Sequence, residues 1–73
     1  MESRHAYTAG SMMVMAGNGT RTQVPAGACM IDSHSERALA CTIRWSELGV
    51  NCSGQISAEM LRAYLLGCVL QYA

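Results

Sequence analysis

Basic charge is scarce in this sequence and is offset by acid. The 73 residues contain five arginines, no lysine and five acidic residues, so the formal net charge is zero. A protein that holds nucleic acid by its phosphates normally carries a surplus of positive charge on one surface. The composition therefore argues against nucleic acid as a partner.

The sequence also lacks a long apolar segment and an apolar leader. The apolar run over 63–70 is far shorter than the roughly 20 residues that a helix needs to cross a bilayer. Residues 1–5 are polar, whereas a secretion signal has an apolar core. We therefore expect a cytoplasmic protein without a membrane segment, in which the cysteines stay reduced and pack as small apolar side chains.

Motifs for catalysis or cofactor binding are missing. No phosphate-binding loop, dinucleotide-binding glycine pattern or nucleophile elbow is present. Cys29, Cys41, Cys52 and Cys68 stand 11 to 16 residues apart, unlike the short ligand spacings of zinc sites. We therefore predict no catalytic residue, no cofactor and no metal.

One loop combines the residue types of an acid–base site. His34 is surrounded by Asp32, Ser33, Ser35 and Glu36. Consecutive residues of a tight turn point outward into solvent, whereas catalysis requires groups that converge in a pocket. We interpret this segment as a solvated turn. An enzyme subunit that completes a site with His34 or Cys29 at a dimer interface is a further alternative.

The apolar content, 51% of residues, is sufficient for one folded domain over residues 1–73, with residues 1–6 as a flexible arm. A chain of this size buries only about 60% of its unfolded surface, so its stability is marginal. Domains this small usually rely on disulfides, a metal or association. Since neither of the first two is predicted, we expect association.

The N-terminal half predicts one hairpin. The apolar run over 12–16 is typical of a strand that is buried on both faces. Asn18-Gly19 follows it and is the strongest short signal for a tight turn into a second strand. A two-residue loop at this point would place Met15 opposite Thr22.

Two structures are compatible with the middle of the chain. A capping box at its start favours a helix over 34–48. Against this, apolar and polar residues alternate strictly over 38–45, which is typical of a half-buried strand. We favour a second hairpin, with Asp32 opposite Arg37, followed by a polar connection over 46–55.

The last segment, 57–73, predicts the one helix. Ser57 is a suitable N-cap, and Glu59 lies in the first turn, where the helix dipole favours a carboxylate. Together these elements predict an α+β fold, in which a small antiparallel sheet of about four strands, arranged as two hairpins, is packed by one C-terminal helix.

The predicted helix is apolar on two sides. One stripe, formed by Leu61, Tyr64, Leu65, Cys68 and Tyr72, would cover the sheet. The opposite side remains apolar, and a domain of this size has no third layer to cover it. In the first strand Met12 and Met13 point to opposite faces, so one of them needs cover too. The predicted interface consists of Ala63, Leu66, Gly67, Leu70 and Met12.

The methionines are a second group of residues that could form a binding surface. Met12, Met13, Met15, Met30 and Met60 are compatible with an adaptable binding face, although core packing is the usual role of methionine. Flexible thioether side chains adjust easily to the shape of a partner.

The sequence therefore predicts a small non-enzymatic interaction protein that binds another protein and forms a homodimer. Its size and lack of chemistry are typical of accessory or inhibitor proteins, such as those that phages and other mobile elements encode. The alternative is a small DNA-binding regulator, because residues 45–57 resemble the turn of a degenerate helix-turn-helix within 38–70.

Overall fold

The structure, a computed structural model, describes residues 2–10, 12–33 and 40–73. These residues form seven strands and one short helix: β1 (Glu2–Thr8), β2 (Met12–Met15), β3 (Arg21–Val24), β4 (Gly27–Ser33), β5 (Ala40–Glu47), β6 (Val50–Ser57), α1 (Ala58–Leu66) and β7 (Leu70–Tyr72). The strands pair antiparallel in the order β3-β2-β6-β5-β4-β1-β7, and the sheet curls into a half-barrel.

The predicted fold class, an α+β domain with a sheet of about four strands, is wrong, because the chain is mostly sheet. One missed strand is β1, because residues 1–6 were expected to be a flexible arm. Ala6 of β1 pairs with Cys29 on one side and with Tyr72 on the other. The side chain of Arg4 lies 3.6 Å over the ring of Tyr72, which adds a cation–π contact at the edge of the sheet. Because most residues of β1 are polar, its sequence does not predict a strand, and pairing with β4 and β7 stabilises it.

The helix starts as predicted but stops early. The Ser57 hydroxyl oxygen accepts a hydrogen bond from the Met60 N–H at 3.1 Å, which makes Ser57 the N-cap. At the other end Cys68 adopts a left-handed conformation with φ 60°, and the Val69 N–H donates to the Tyr64 carbonyl at 3.0 Å. This is a Schellman ending, which satisfies the last carbonyls and turns the chain out of the helix.

The β4–β5 hairpin confirms the strand prediction for the middle of the chain. Ile31 pairs with Ile43, so residues 40–47 are a strand, and the alternative helix over 34–48 is wrong there. The expected turn around His34 and Arg37 lies outside the described residues. Residues 45–57 form part of the β5–β6 hairpin, so they are not the turn of a helix-turn-helix.

The two other hairpins differ from the predictions. Within the β2–β3 turn, the Asn18 side-chain oxygen accepts a hydrogen bond from the Thr20 N–H at 3.1 Å. Met15 pairs with Arg21 rather than with Thr22, so the loop is longer than the two residues predicted. The β5–β6 turn replaces the polar connection predicted over 46–55. It is tight, because Leu48 and Gly49 have φ values of 51° and 79°, as in a type I′ turn.

The side chains of the sheet alternate between a core face and an outer face. The core face lies under α1, which packs against β5, β6 and β7. Buried apolar residues on the core face and on α1 are Ala6, Met12, Val14, Val24, Cys29, Ile31, Cys41, Ile43, Trp45, Ile56, Leu61 and Leu70. The outer face is mostly polar, as in many antiparallel sheets with one solvated side.

The cysteine positions give a prediction for thiol reactivity. Cys29 and Cys41 are buried, Cys52 is half-buried and Cys68 is exposed. Burial raises the pKa of the Cys29 thiol by desolvation, which disfavours the reactive thiolate. In iodoacetamide labelling followed by mass spectrometry, we expect Cys68 to react first, and Cys29 and Cys41 only as fast as the chain unfolds. Labelling of Cys29 at the rate of Cys68 would contradict this arrangement.

The same shift has a consequence for stability. Because the folded chain raises the pKa of Cys29, the unfolded chain ionises first as the pH increases. The contribution of this group to the free energy of unfolding is therefore complete below the ordinary thiol pKa. It is lost as the pH rises through the raised pKa of the folded state.

Candidate interaction surface

Helix α1 buries one side and leaves the other in solvent. Leu61 is buried against the sheet, while Tyr64 and Leu65 are half-buried. On the opposite side Leu66 is 80% exposed and Met60 is 48% exposed. A leucine exposed to this degree contributes nothing to the core of its own chain, so the apolar second side that the sequence predicted is present over the residues that are helical.

The predicted interface residues divide into two groups. Ala63, Leu66 and Gly67 are exposed together on the outward side of α1 and its C-cap. Met12 and Leu70 have no exposed surface and belong to the core, so they are not available to a partner. For Leu70 the reason is the early end of the helix, which places this residue on the core side of β7.

A groove between β2 and β6 extends this surface. Among the described residues the register between the two strands joins only Met15 with Gln55, so they diverge beyond that point. The Tyr64 hydroxyl closes part of the gap, because its oxygen accepts the Met13 N–H at 3.2 Å. The resulting groove, of about 280 Å³, is lined by Met13, Met15 and Met60 among others.

The exposed residues of α1 and the methionines of the groove, two groups that share Met60, are together called the helix band here. It consists of Met13, Met15, Met60, Ala63, Leu66 and Gly67. Met13 and Met15 are 39% and 46% exposed, and their thioether side chains can repack against different shapes. Three of the five methionines considered for a binding face therefore lie in the band, whereas Met12 is in the core and Met30 is half-buried on the outer face of β4.

The charges beside the band are few, one acidic and two basic. Glu59 and Arg62 are both exposed on α1, and Arg21 lines the groove. Two copies of the band that face each other would therefore carry little like-charge repulsion. The run over 12–16 is apolar throughout and contains no alternation that could have placed Met13 and Met15 outside. The expectation of a strand buried on both faces is wrong, because the burial of β2 alternates along the strand.

A second exposed apolar spot lies at the tip of the β5–β6 hairpin. Leu48 is 99% exposed and Val50 is 61% exposed. This tip presents two apolar side chains, and neither of them lines the β2–β6 groove. Leu48 therefore provides a comparison site for the helix band.

The sites that would have carried chemistry are not assembled in the described part of the chain. No group of three histidine, cysteine or acidic side chains there is placed to hold a metal ion. Cys29, which the enzyme-subunit alternative places in an interface site, is buried, and burial raises the pKa of its thiol. In the same residues no helix has the length and apolar character to cross a bilayer.

Comparison with known proteins gives no relative: no family model, no curated protein and no solved structure matches the chain. The helix band must therefore be interpreted from its own geometry and chemistry.

Proposed function

We propose that this chain is a small non-enzymatic interaction protein that forms a homodimer through the helix band. The observation that carries the proposal is Leu66, which is 80% exposed at the end of a helix whose other apolar side is already packed. Apolar patches of this kind on small proteins commonly mark protein–protein contacts.

A second copy fits the band in an antiparallel arrangement of the two helices. With a two-fold axis at Ala63, Met60 of one copy lies opposite Leu66 of the other, since each is three residues from the axis. Ala63 and Gly67 are small enough to let the two helix backbones approach closely. The apolar side chains of both copies would then cover each other.

The size of the interface requires the groove as well as the helix. A stable interface takes about 800 Å² from each partner, which is about a sixth of the 4997 Å² surface of this chain. Helix α1 has nine residues and a length of about 14 Å. Because so short a helix offers too little area alone, the contribution of Met13 and Met15 is part of the proposal.

The proposal extends to a reducing, cytoplasmic setting. It is supported by Cys29 and Cys41, which pack in the core as free thiols in the manner of small apolar residues.

Light scattering and analytical ultracentrifugation test the proposal. We expect the parent protein to have about twice the 7.8 kDa mass of one chain. Leu66→Asp should weaken the dimer at least about tenfold, because it places a charge in a desolvated apolar contact. The variant should remain folded, since Leu66 makes no contribution to the core.

Leu48→Asp is the matched control. Leu48 is also an exposed leucine, and aspartate tolerates the left-handed conformation that this turn requires. The dimer of Leu48→Asp should be as stable as the dimer of the parent protein. The proposal fails if the parent is a monomer at millimolar concentration, or if the two aspartate variants weaken the dimer equally.

A further inference from the structure

The outer face of the sheet contains a second concave site, remote from α1. A row of four side chains crosses it, because His5 pairs with Met30, Met30 with Arg44, and Arg44 with Ser53. Ser53 in this row, like Ala28 and Ser46 beside it, is short, whereas its neighbours are long. The difference in length leaves a groove of about 610 Å³, here called the outer groove. This volume lies within the usual range for small-molecule sites.

Arg44 is held rigidly at the outer groove. Its Nε donates to Asp32 Oδ2 at 2.5 Å, and its Nη2 donates to Asp32 Oδ1 at 3.0 Å. The Ser3 hydroxyl donates to the same Oδ1 at 2.5 Å, so the carboxylate is fixed from two sides. A fork of this kind orients the guanidinium before any ligand arrives, which reduces the entropy cost of binding.

The exposed part of the ion pair is its positive end. The side chain of Asp32 is 7% exposed, whereas that of Arg44 is 51% exposed. The fork to Asp32 uses two of the five guanidinium N–H groups, which leaves three for another acceptor. Hydrogen bonding to Asp32, and secondarily its charge, raises the pKa of Arg44, so the guanidinium remains charged.

The other polar groups of the groove are donors or neutral. The Ser46 hydroxyl donates to Asn51 Oδ1 at 3.1 Å, and this bond leaves the two N–H groups of the Asn51 amide for a ligand. Ser53 adds a hydroxyl and His5 an imidazole, and no carboxylate is among the lining residues. The lining therefore has the chemistry to attract an oxyanion.

The remaining surface is apolar. Met30 lies between His5 and Arg44 in the row, and Ala28 stands beside it. A ligand anchored at Arg44 would extend over these two side chains.

We propose that the outer groove binds a small compound in which a phosphate or carboxylate group is attached to a short apolar body. The oxyanion accepts hydrogen bonds from Arg44, Asn51 and Ser53, and the apolar body lies on Met30. This binding site is separate from the helix band and does not depend on dimerisation.

Chemical-shift titration of the ¹⁵N-labelled protein tests the proposal with three probes of one shape: phenyl phosphate, benzoate and phenol. We expect at least one of the two anions to saturate with a dissociation constant near or below about 1 mM, with shifts centred on Ser46, Asn51 and Ser53. Uncharged phenol should bind at least about tenfold more weakly. The tighter of the two anions identifies the group. Absence of saturation with both anions, or equal binding of phenol, would overturn the proposal.

Substitutions locate the site. Arg44→Gln should lower the affinity at least about tenfold. Arg21→Gln, at an exposed arginine that does not line the outer groove, should leave the affinity within about twofold of the parent. Because loss of Arg44 also affects Asp32, Ser53→Ile provides an independent variant that fills the groove and keeps the ion pair. It should abolish binding while the spectrum of the fold is preserved. Parent-like binding by Ser53→Ile, or equal losses in the two arginine variants, would refute the assignment.

The result is independent of the dimer. Leu66→Asp should bind the anion as the parent does, because Leu66 lies on α1 and contributes nothing to the outer groove. A Leu66→Asp protein that is monomeric and still binds would thus support both proposals. Loss of binding in Leu66→Asp would contradict the independence of the groove.

Discussion

Leu70→Ala is expected to lower the free energy of unfolding by about 3 kcal/mol, the typical cost of removing a fully buried leucine side chain. Leu70 has no exposed surface, and it lies in β7, where it pairs with Thr8 of β1. The same change at Leu66, four residues earlier, should cost less than about 0.5 kcal/mol in the monomer, because this side chain is outside the core. The two variants thus distinguish Leu70, which stabilises the core, from Leu66, which lies on the exposed side of α1.

Urea denaturation followed by circular dichroism measures both changes. The experiment should be done at a concentration low enough for the parent to be monomeric, so that loss of the dimer does not add to the effect of Leu66→Ala. Equal destabilisation by the two variants would mean that the segment after α1 is not folded as described.

Gly54→Ala is expected to destabilise the protein by about 1 to 3 kcal/mol, the usual cost of overfilling a packed core. Gly54 lies in β6 beside Val14 of β2. A Cβ atom at this position would be 2.5 Å from Val14 Cγ2 and 3.1 Å from the Met15 carbonyl oxygen. Alanine normally improves on glycine in a strand, so a loss of stability would have to come from this clash.

Two further variants isolate the cause. Gly17→Ala is the control, because a Cβ at Gly17 meets no atom within 4 Å, and it should be close to neutral. Val14→Ala removes the clashing methyl group, so adding Gly54→Ala to that background should cost less than in the parent. If the two losses simply add, the close approach of β2 to β6 is not the reason for glycine.

The sequence allowed the prediction of elements whose signals are local. Alternation over 38–45 placed β5 correctly, and the cap chemistry of Ser57 located the start of α1. Strands β1 and β6 were missed because their outer residues are polar and their core residues are small, as with Ala6 and Gly54. Such strands are stabilised by pairing with neighbouring strands. The sequence of one segment does not show which segment it will pair with.

The C-terminal error has a different origin. Residues 57–73 have the periodicity of one long helix, and a cysteine is an unusual residue for the left-handed position that ends it. Gly67, the residue that would usually take that position, has an ordinary negative φ of −83°. The end of the helix at Leu66 was therefore not predicted, and Leu70 was assigned to a helix face rather than to the core.

The candidate site was only partly predictable for the same reasons. Ala63, Leu66 and Gly67 were identified because helical periodicity holds as far as Leu66. Met13 and Met15 joined them only through the divergence of β2 from β6, which depends on tertiary structure. The outer groove gave no sequence signal, since its polar residues come from three strands, β1, β5 and β6.

Strand β7 completes the sheet by pairing with β1, although these two strands are the farthest apart in the described chain. During synthesis on a ribosome, β1 can pair with β4 as soon as β4 has emerged, but the other edge of β1 stays unpaired until β7 follows. Contacts between such distant segments close late and slowly. The nascent protein is thus most exposed to wrong strand pairing before β7 becomes available.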